Sequence, residues 1–240
     1  MMGNEIKLSC GLALAFCLGG AAWADTAPAP SPYPVMAPIA QYQIASQADE
    51  IALARSAAPP SISNDAEVLT LGAHGYETAV KGKNGFVCIV ERLWAAGIDD
   101  PEFWNPKGRA PICFNPASTR SVLPTYLERT KWVLAGASRA QILQRTKAAI
   151  AAGRIKPPET GSMCFMMSKN GYLNDGAHGP WHSHVMFFLP RDAGGAAAWG
   201  AGQAGVPVMG GVPDGIDPAV VYFVLVAKWS DGTPATTMAM

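Results

Sequence analysis

Apolar residues recur along this chain with two different periods, which separate its predicted strands from its predicted helices. Short runs rich in β-branched and aromatic residues, bounded by glycine, asparagine or proline, are typical of β-strands. Such runs occur at AEVLTL (66–71), GYETAV (75–80), FVCIV (86–90), PICF (111–114), SMCFMMS (162–168), WHSHVMFFL (181–189) and AVVYFVLVAKW (219–229). Both faces of FVCIV are apolar, which predicts a strand in the middle of a sheet.

Three further segments have the composition and the end signals of helices. The first begins at Ser46, which stands three residues before Asp49 in the spacing of a capping box, and stops at Pro59. A helical pair is predicted at 123–136 and 138–153, between the fourth and fifth strands. The sequence therefore predicts an α+β fold, with a mostly antiparallel sheet, an inserted helical pair and an N-terminal helix.

The first 24 residues have the pattern of a secretory signal peptide. Lys7 precedes an apolar run from Leu8 to Leu18, and the triplet at 22–24 fits the small-x-small rule for cleavage before Asp25. The apolar run is too short to span a bilayer comfortably. The segment 1–24 therefore predicts an exported protein, either periplasmic or secreted.

The mature chain divides into a short segment and one large domain. Residues 25–45 are rich in proline and alanine, which favours an extended, flexible segment. Residues 46–240 carry all the predicted strands and helices and are numerous enough to bury a substantial core. We therefore expect a single α+β domain over 46–240.

Composition excludes two classes of partner. Lys+Arg and Asp+Glu each number 18, which gives a formal net charge of +0. A neutral chain without a run of basic residues has no electrostatic attraction for nucleic acid. No segment after the signal peptide is long and apolar enough to span a membrane, so we expect neither nucleic acid nor membrane as a partner.

Three cysteines remain after cleavage of the signal peptide. An oxidising compartment permits one disulfide among Cys88, Cys113 and Cys164. Cys88 and Cys113 are the favoured pair because they lie close in sequence, and their bridge would contribute about 3 kcal/mol by loop closure. The alternative is three buried free cysteines.

Two histidines, His182 and His184, lie two residues apart in the run WHSHVMFFL. In a strand, residues at this spacing point to one face with their Cα atoms about 7 Å apart, so both imidazoles could reach one metal ion. Zinc needs at least a third ligand from the protein. The candidates for that position are His178, Asp175, Cys164 and His74.

Copper is the second metal that this region indicates. Methionines and Cys164 in SMCFMM, followed by Met186 after the histidine pair, supply the thioether, thiol and imidazole groups that copper prefers. Two structural interpretations remain open. Methionines in apolar strands commonly fill the core, and the two histidines could bind backbone groups or water at a strand edge.

Trp181 to His184 resemble the W-H-x-H stretch of zinc peptidoglycan peptidases of the LAS class, in which an earlier histidine is followed seven residues later by an aspartate. Here His74 is followed at that distance by Lys81. The resemblance covers four residues, Trp181 to His184. It is the only stretch that resembles a family of known activity.

The glycine-rich stretch GAGQAG (200–205) matches the spacing of a dinucleotide-binding loop but is followed by Val206 and Pro207, where that loop needs a helix. It predicts a plain loop and no bound cofactor. The sequence is therefore interpreted as that of an exported, non-enzymatic protein that binds an unknown small ligand or envelope component. The alternative is a zinc-dependent hydrolase of the envelope, with Asp175 or Glu159 as general base.

Overall fold

A single eight-stranded sheet, mostly antiparallel, organises the molecule, and it confirms the predicted α+β fold. The computed structural model describes residues 32–95, 97–174, 181–213 and 215–235. The strands are β1 (Glu67–Leu71), β2 (Tyr76–Val80), β3 (Val87–Glu91), β4 (Ala110–Phe114), β5 (Met163–Met166), β6 (His184–Pro190), β7 (Val208–Pro213) and β8 (Ala219–Leu225). Five helices are described, namely α1 (Gln47–Arg55), α2 (Pro60–Ser63), α3 (Pro116–Ser121), α4 (Leu123–Leu134) and α5 (Arg139–Ala151).

The order of the strands across the sheet is β2-β1-β3-β4-β5-β6-β8-β7. β1 runs parallel to β3, and the other neighbouring pairs are antiparallel. In the β3–β4 pair Cys88 lies directly opposite Cys113, and the two form a disulfide. The predicted pairing of these cysteines is confirmed, and Cys164 is a buried free thiol.

The two faces of the sheet are covered by different helices. The front face carries Ile89, Phe114 and Met186, and it belongs to the larger core cluster with residues of α4 and α5. The back face carries Val68 and the Cys88–Cys113 disulfide, and it packs against the alanines at the C-terminal end of α1. All five residues of β3 are buried, as expected for a central strand with cover on both sides.

The predicted end signals of the helices are present. Ser46 accepts a hydrogen bond from the Asp49 amide at the start of α1. Ser138 and Gln141 form a reciprocal capping box at the start of α5, which satisfies backbone groups that the first turn leaves unpaired. Gly136, just beyond α4, has a φ of 80°, a conformation that glycine adopts without strain.

One residue of the segment predicted to be extended, 25–45, is anchored in the core. The Tyr42 side chain is fully buried against Trp94, with ring centroids 4.5 Å apart, and its hydroxyl donates to the Trp104 carbonyl at 2.7 Å. The partly buried Tyr33, Met36 and Ala37 pack against the same core cluster. An aromatic residue with a buried partner overrides the proline-rich composition around it.

Two boundaries in the C-terminal third also differ from the prediction. No strand was predicted between 189 and 219, yet the edge strand β7 lies there. β6 begins at His184, three residues later than predicted. The cause lies in the tertiary structure, because the Met167 amide donates to the Ala57 carbonyl and the Met167 carbonyl accepts from the Ser230 amide. β5 therefore stops at Met166, and residues before His184 have no strand opposite them on that side.

In the ranges that the structure describes, no helix is both long enough and apolar enough to cross a membrane. The predicted signal peptide, residues 1–24, lies outside these ranges.

Candidate functional site

The two histidines of the predicted pair have different environments. His184 is the first residue of β6 and is buried, with 7% of its surface exposed. His182 precedes the strand and is half-buried. The predicted arrangement, with both side chains on one face of a strand, therefore does not hold. Instead, His184 Nδ1 lies 2.7 Å from the backbone oxygen of His182.

This contact fixes the protonation of the His184 ring. A carbonyl oxygen only accepts hydrogen bonds, so Nδ1 must carry the proton and donate it. Burial lowers the pKa of His184, and the nearby His182 ring adds to that effect. The neutral ring then has a lone pair on Nε2, and no described residue donates a hydrogen bond to that atom.

Aromatic rings flank the His184 imidazole. The Trp181 ring centroid is 5.5 Å away and the Phe223 centroid 5.6 Å away. Trp181 is held in turn by a hydrogen bond of 2.6 Å from its Nε1 to the Ser168 carbonyl. Among the described residues, the rings that flank His184 are therefore those of Trp181 and Phe223.

The side chains next to His184 on the front face contain sulfur. Met166 lies opposite His184 across the β5–β6 pair, and Cys164 lies opposite Met186. Cys164 is completely buried, and burial raises the pKa of its thiol well above the ordinary value. A protonated, buried thiol is a poor nucleophile, which does not favour a catalytic Cys–His pair.

The other predicted metal ligands are separated from this pocket or lie outside the described residues. His74 is exposed in the turn between β1 and β2. Three strands stand between β1 and β6, which places His74 about 19 Å away across the sheet. His178 and Asp175 lie outside the described residues. Within those residues, no three His, Cys, Asp or Glu side chains come together in a way that could hold a metal ion.

Glu159, one of the two candidate general bases, lies at the wrong end of the sheet for His184. It forms an exposed ion pair with Arg120, with an N–O distance of 2.7 Å. The amide of Phe188 donates to the Ser162 carbonyl, so the segment with Glu159 adjoins the Phe188 end of β6. Four residues of extended strand, about 13 Å, separate that end from His184.

A second cleft, which the sequence did not indicate, lies between α4 and the strands β6 and β8. Tyr126, Phe188 and Asp217 are among its lining residues. The space available to the centre of a water molecule is about 20 Å³, room for roughly one water. Asp217 is paired with Arg129 at 2.5 Å. Burial raises the pKa of Asp217, and the Arg129 charge opposes that rise. The cleft is too small for an organic ligand.

One signal in the sequence could have indicated this ion pair. Arg129 stands between Tyr126 and Val133 at the spacing of one helix face, and all three are buried in α4. An arginine within an apolar stripe predicts a buried acidic partner. The identity of that partner, Asp217, depends on tertiary structure.

Comparison with known proteins gives no relative for this chain: no family model, no curated protein and no solved structure matches it.

Proposed function

We propose that this chain is an exported, non-enzymatic binding protein of the cell envelope, with its ligand site at His184. The observation that carries the proposal is the protonation, orientation and surroundings of the His184 imidazole. It is neutral, oriented by the His182 carbonyl, flanked by Trp181 and Phe223, and has an acceptor atom, Nε2, with no donor among the described residues. Ligand sites are typically lined by aromatic side chains with a few oriented polar groups, and His184 with Trp181 and Phe223 has that composition.

Two observations favour binding over the alternative zinc hydrolase. A catalytic zinc site needs three protein ligands and an open position for water. Among the described residues no such group of ligands exists. The general-base candidate Glu159 is paired with Arg120 at the other end of β6. A hydrolase would need His178 and Asp175, which lie outside the described residues.

Export is supported by the N-terminal pattern and by the disulfide. The pattern over 1–24 is that of a cleaved signal peptide. A disulfide between Cys88 and Cys113 suits an oxidising compartment and is uncommon in cytosolic proteins. The site of action in this proposal is the periplasm or the extracellular medium.

Fractionation of cells that express the full chain tests the export. We expect the protein in the periplasmic fraction or the medium, with Asp25 as its N-terminal residue by Edman degradation or mass spectrometry. An intact chain starting at Met1 in the cytoplasm would contradict this part of the proposal.

The ligand site is tested by native mass spectrometry and elemental analysis of protein isolated from the envelope. His184→Asn keeps an amide donor near the position of Nδ1 but removes Nε2, so we expect it to lose the bound species. His182→Asn is the matched control, because the contact of His182 with His184 uses its backbone oxygen. A bound species that both variants retain would contradict the proposal. Zinc that depends on both histidines would support the hydrolase instead.

A further inference from the structure

Four side chains with sulfur or imidazole donor atoms occupy two neighbouring cross-strand pairs on the front face. They are Met166 with His184, and Cys164 with Met186. Alternate residues of a strand share a face, and each of the four is at most 7% exposed. Opposite Cβ atoms in such pairs are about 4.5–5.5 Å apart. One point above the sheet is therefore within reach of all four side chains, which we call the soft-donor cluster.

His184 is oriented as a metal ligand. Histidines that bind metals usually donate their other ring N–H to a carboxylate or a backbone carbonyl, which fixes the tautomer and the ring orientation. The Nδ1–H of His184 makes that contact with the His182 carbonyl at 2.7 Å. The lone pair on Nε2 is consequently available without any rearrangement of the hydrogen bond.

We propose that the soft-donor cluster binds one cuprous ion through Cys164 Sγ, His184 Nε2 and the thioether sulfurs of Met166 and Met186. Thiolate and thioether ligands select Cu(I) among the biological first-row metals. This inference rests on the proposed binding function and names the ligand of the same site.

The ligand set of the cluster favours a soft, monovalent ion. Phe114 pairs with Cys164, and Phe223 pairs with Met186. A Cu(I) ion with one thiolate and three neutral donors has no net charge. Two of the four donors are thioethers, which suit Cu(I) better than Zn²⁺, whose protein ligands are Cys, His, Asp and Glu. The expected ligand is therefore Cu(I) or its chemical analogue Ag(I).

Binding is an exchange of one cation for another. The S–H bond of Cys164 breaks, an S–Cu bond forms, the proton leaves to solvent, and copper remains Cu(I) throughout. A bare thiolate in an apolar core would be an uncompensated buried charge. The exchange of H⁺ for Cu⁺ keeps the charge of the core unchanged, so it avoids the state that burial penalises.

The test uses the mature chain from Asp25, with its disulfide intact, so that Cys164 is its one free thiol. It is titrated with Ag(I), which is redox-inert, and anaerobically with Cu(I) in competition with a chromophoric Cu(I) chelator. We expect one ion per chain and an ultraviolet thiolate-to-metal band. Cys164→Ala should abolish the band and weaken binding by at least about 100-fold. Met166→Leu and Met186→Leu should weaken it by about 10-fold or more, the range that altered metal environments produce.

Met163→Leu is the matched control. Met163 belongs to the same strand, but its side chain is on the opposite face from Cys164 and is only half-buried. Leucine conserves the volume of methionine, so all three Met→Leu variants should keep the fold, which circular dichroism checks. Affinity for Ag(I) and Cu(I) should be unchanged in Met163→Leu.

The outcomes separate this inference from the proposed function. Failure of wild-type protein to bind one Ag(I) or Cu(I), or binding that persists in Cys164→Ala, would overturn the cuprous site. If a non-metal species is then lost in His184→Asn but retained in Cys164→Ala, the binding function stands and only the metal assignment falls. If no bound species depends on His184, both proposals fail.

Discussion

Arg92 is a fully buried charge whose partners come from three separate parts of the chain. Its Nη1 donates to Glu50 Oε1 at 2.7 Å and to the Val90 carbonyl at 2.6 Å, and its Nε donates to the Tyr42 carbonyl at 2.9 Å. One guanidinium thus joins the N-terminal segment, α1 and β3. Such a group is costly to bury and becomes far more so when a partner is lost.

Glu50→Gln should therefore destabilise the protein by about 3–5 kcal/mol, because it leaves the Arg92 charge buried without its counter-ion. Glu159→Gln is the control, since its ion pair with Arg120 is exposed and screened by solvent and should contribute little to stability. Urea denaturation of both variants gives the two values. An equal loss in the free energy of unfolding of the two variants would show that burial does not set the contribution of the Arg92–Glu50 pair.

Asp231 allows a test of a pKa at the surface. Hydrogen bonds from Lys169 and Thr233 lower the pKa of Asp231 to about 2. A carboxyl with a lowered folded pKa stabilises the fold above its unfolded pKa of 3.8, and that contribution is lost as the pH falls towards 2. Thr233→Val should raise the pKa of Asp231 towards 3.8, as followed by carboxyl ¹³C NMR. An unchanged midpoint would show that the Thr233 hydroxyl does not contribute and would assign the shift to Lys169 and the backbone amide of residue 233.

The sequence alone predicted which chemical groups form the candidate site, but it did not predict how their side chains are arranged. The sequence identified the histidines, Cys164 and the methionines as the groups of interest. It did not predict that β5 ends at Met166, because that depends on backbone hydrogen bonds to residues more than 60 positions away in each direction, Ala57 and Ser230. Without an opposite strand His182 leaves the sheet, and His184 turns back to the His182 carbonyl.

At the scale of elements, the edge strand β7 depends on two adjacent glycines. Gly210 and Gly211 have φ values of 88° and 76°, which side chains rarely adopt. They form an irregularity in the pairing of β7 with β8. A Cβ at Gly211 would lie 2.7 Å from Ala196 Cα and 2.8 Å from the Tyr222 ring. Bulges of this kind also protect a sheet edge from pairing with another chain.

Gly211→Ala should cost about 2 kcal/mol or more, from the strained φ and from the clash with Tyr222. It should also disturb the stack of Trp199 on Tyr222, whose ring centroids are 4.5 Å apart. Denaturation and near-ultraviolet circular dichroism measure the two effects. Gly195→Ala is the control, because its φ is −87° and no atom lies within 4 Å of the added Cβ. Unchanged stability and an unchanged near-ultraviolet spectrum in Gly211→Ala would contradict this account of β7.

Elements with strong local signals were predictable, and β7 was not. Capping residues such as Ser46 and Ser138 act on backbone groups within their own first turn, so they can be identified from sequence alone. The glycines of β7 have the composition of a loop. Their strand conformation comes from pairing with β8, which is a tertiary effect.

At the scale of the whole molecule, residues 32–45 are part of the stable domain. A chain starting at Ser46 should lose about 3–5 kcal/mol relative to one starting at residue 32, because the space filled by Tyr42 against Trp94 becomes a cavity. Arg109 also loses its bonds to the carbonyls of Gln41 and Gln43. Thermal or urea denaturation of the two chains measures the difference.

Two point variants keep this test decisive if the shorter chain does not fold. Tyr42→Ala in the longer chain should cost a similar amount. Val35→Ala should change stability by less than about 0.5 kcal/mol, since Val35 is 73% exposed. Full stability in the chain that starts at Ser46 would restore the boundary expected from composition.

The order of strands has a consequence for the biogenesis of the protein. β8 is the last strand described, yet it lies inside the sheet, between β6 and β7. A chain that emerges from its N-terminus holds β6 as an unpaired edge until residues 219–225 arrive. That edge carries the apolar run Val185 to Leu189, the kind of exposed strand on which nascent chains aggregate. An unpaired β6 is thus a segment that a chaperone would protect from aggregation. The strand that begins at His184 is among the last to be covered by a neighbouring strand.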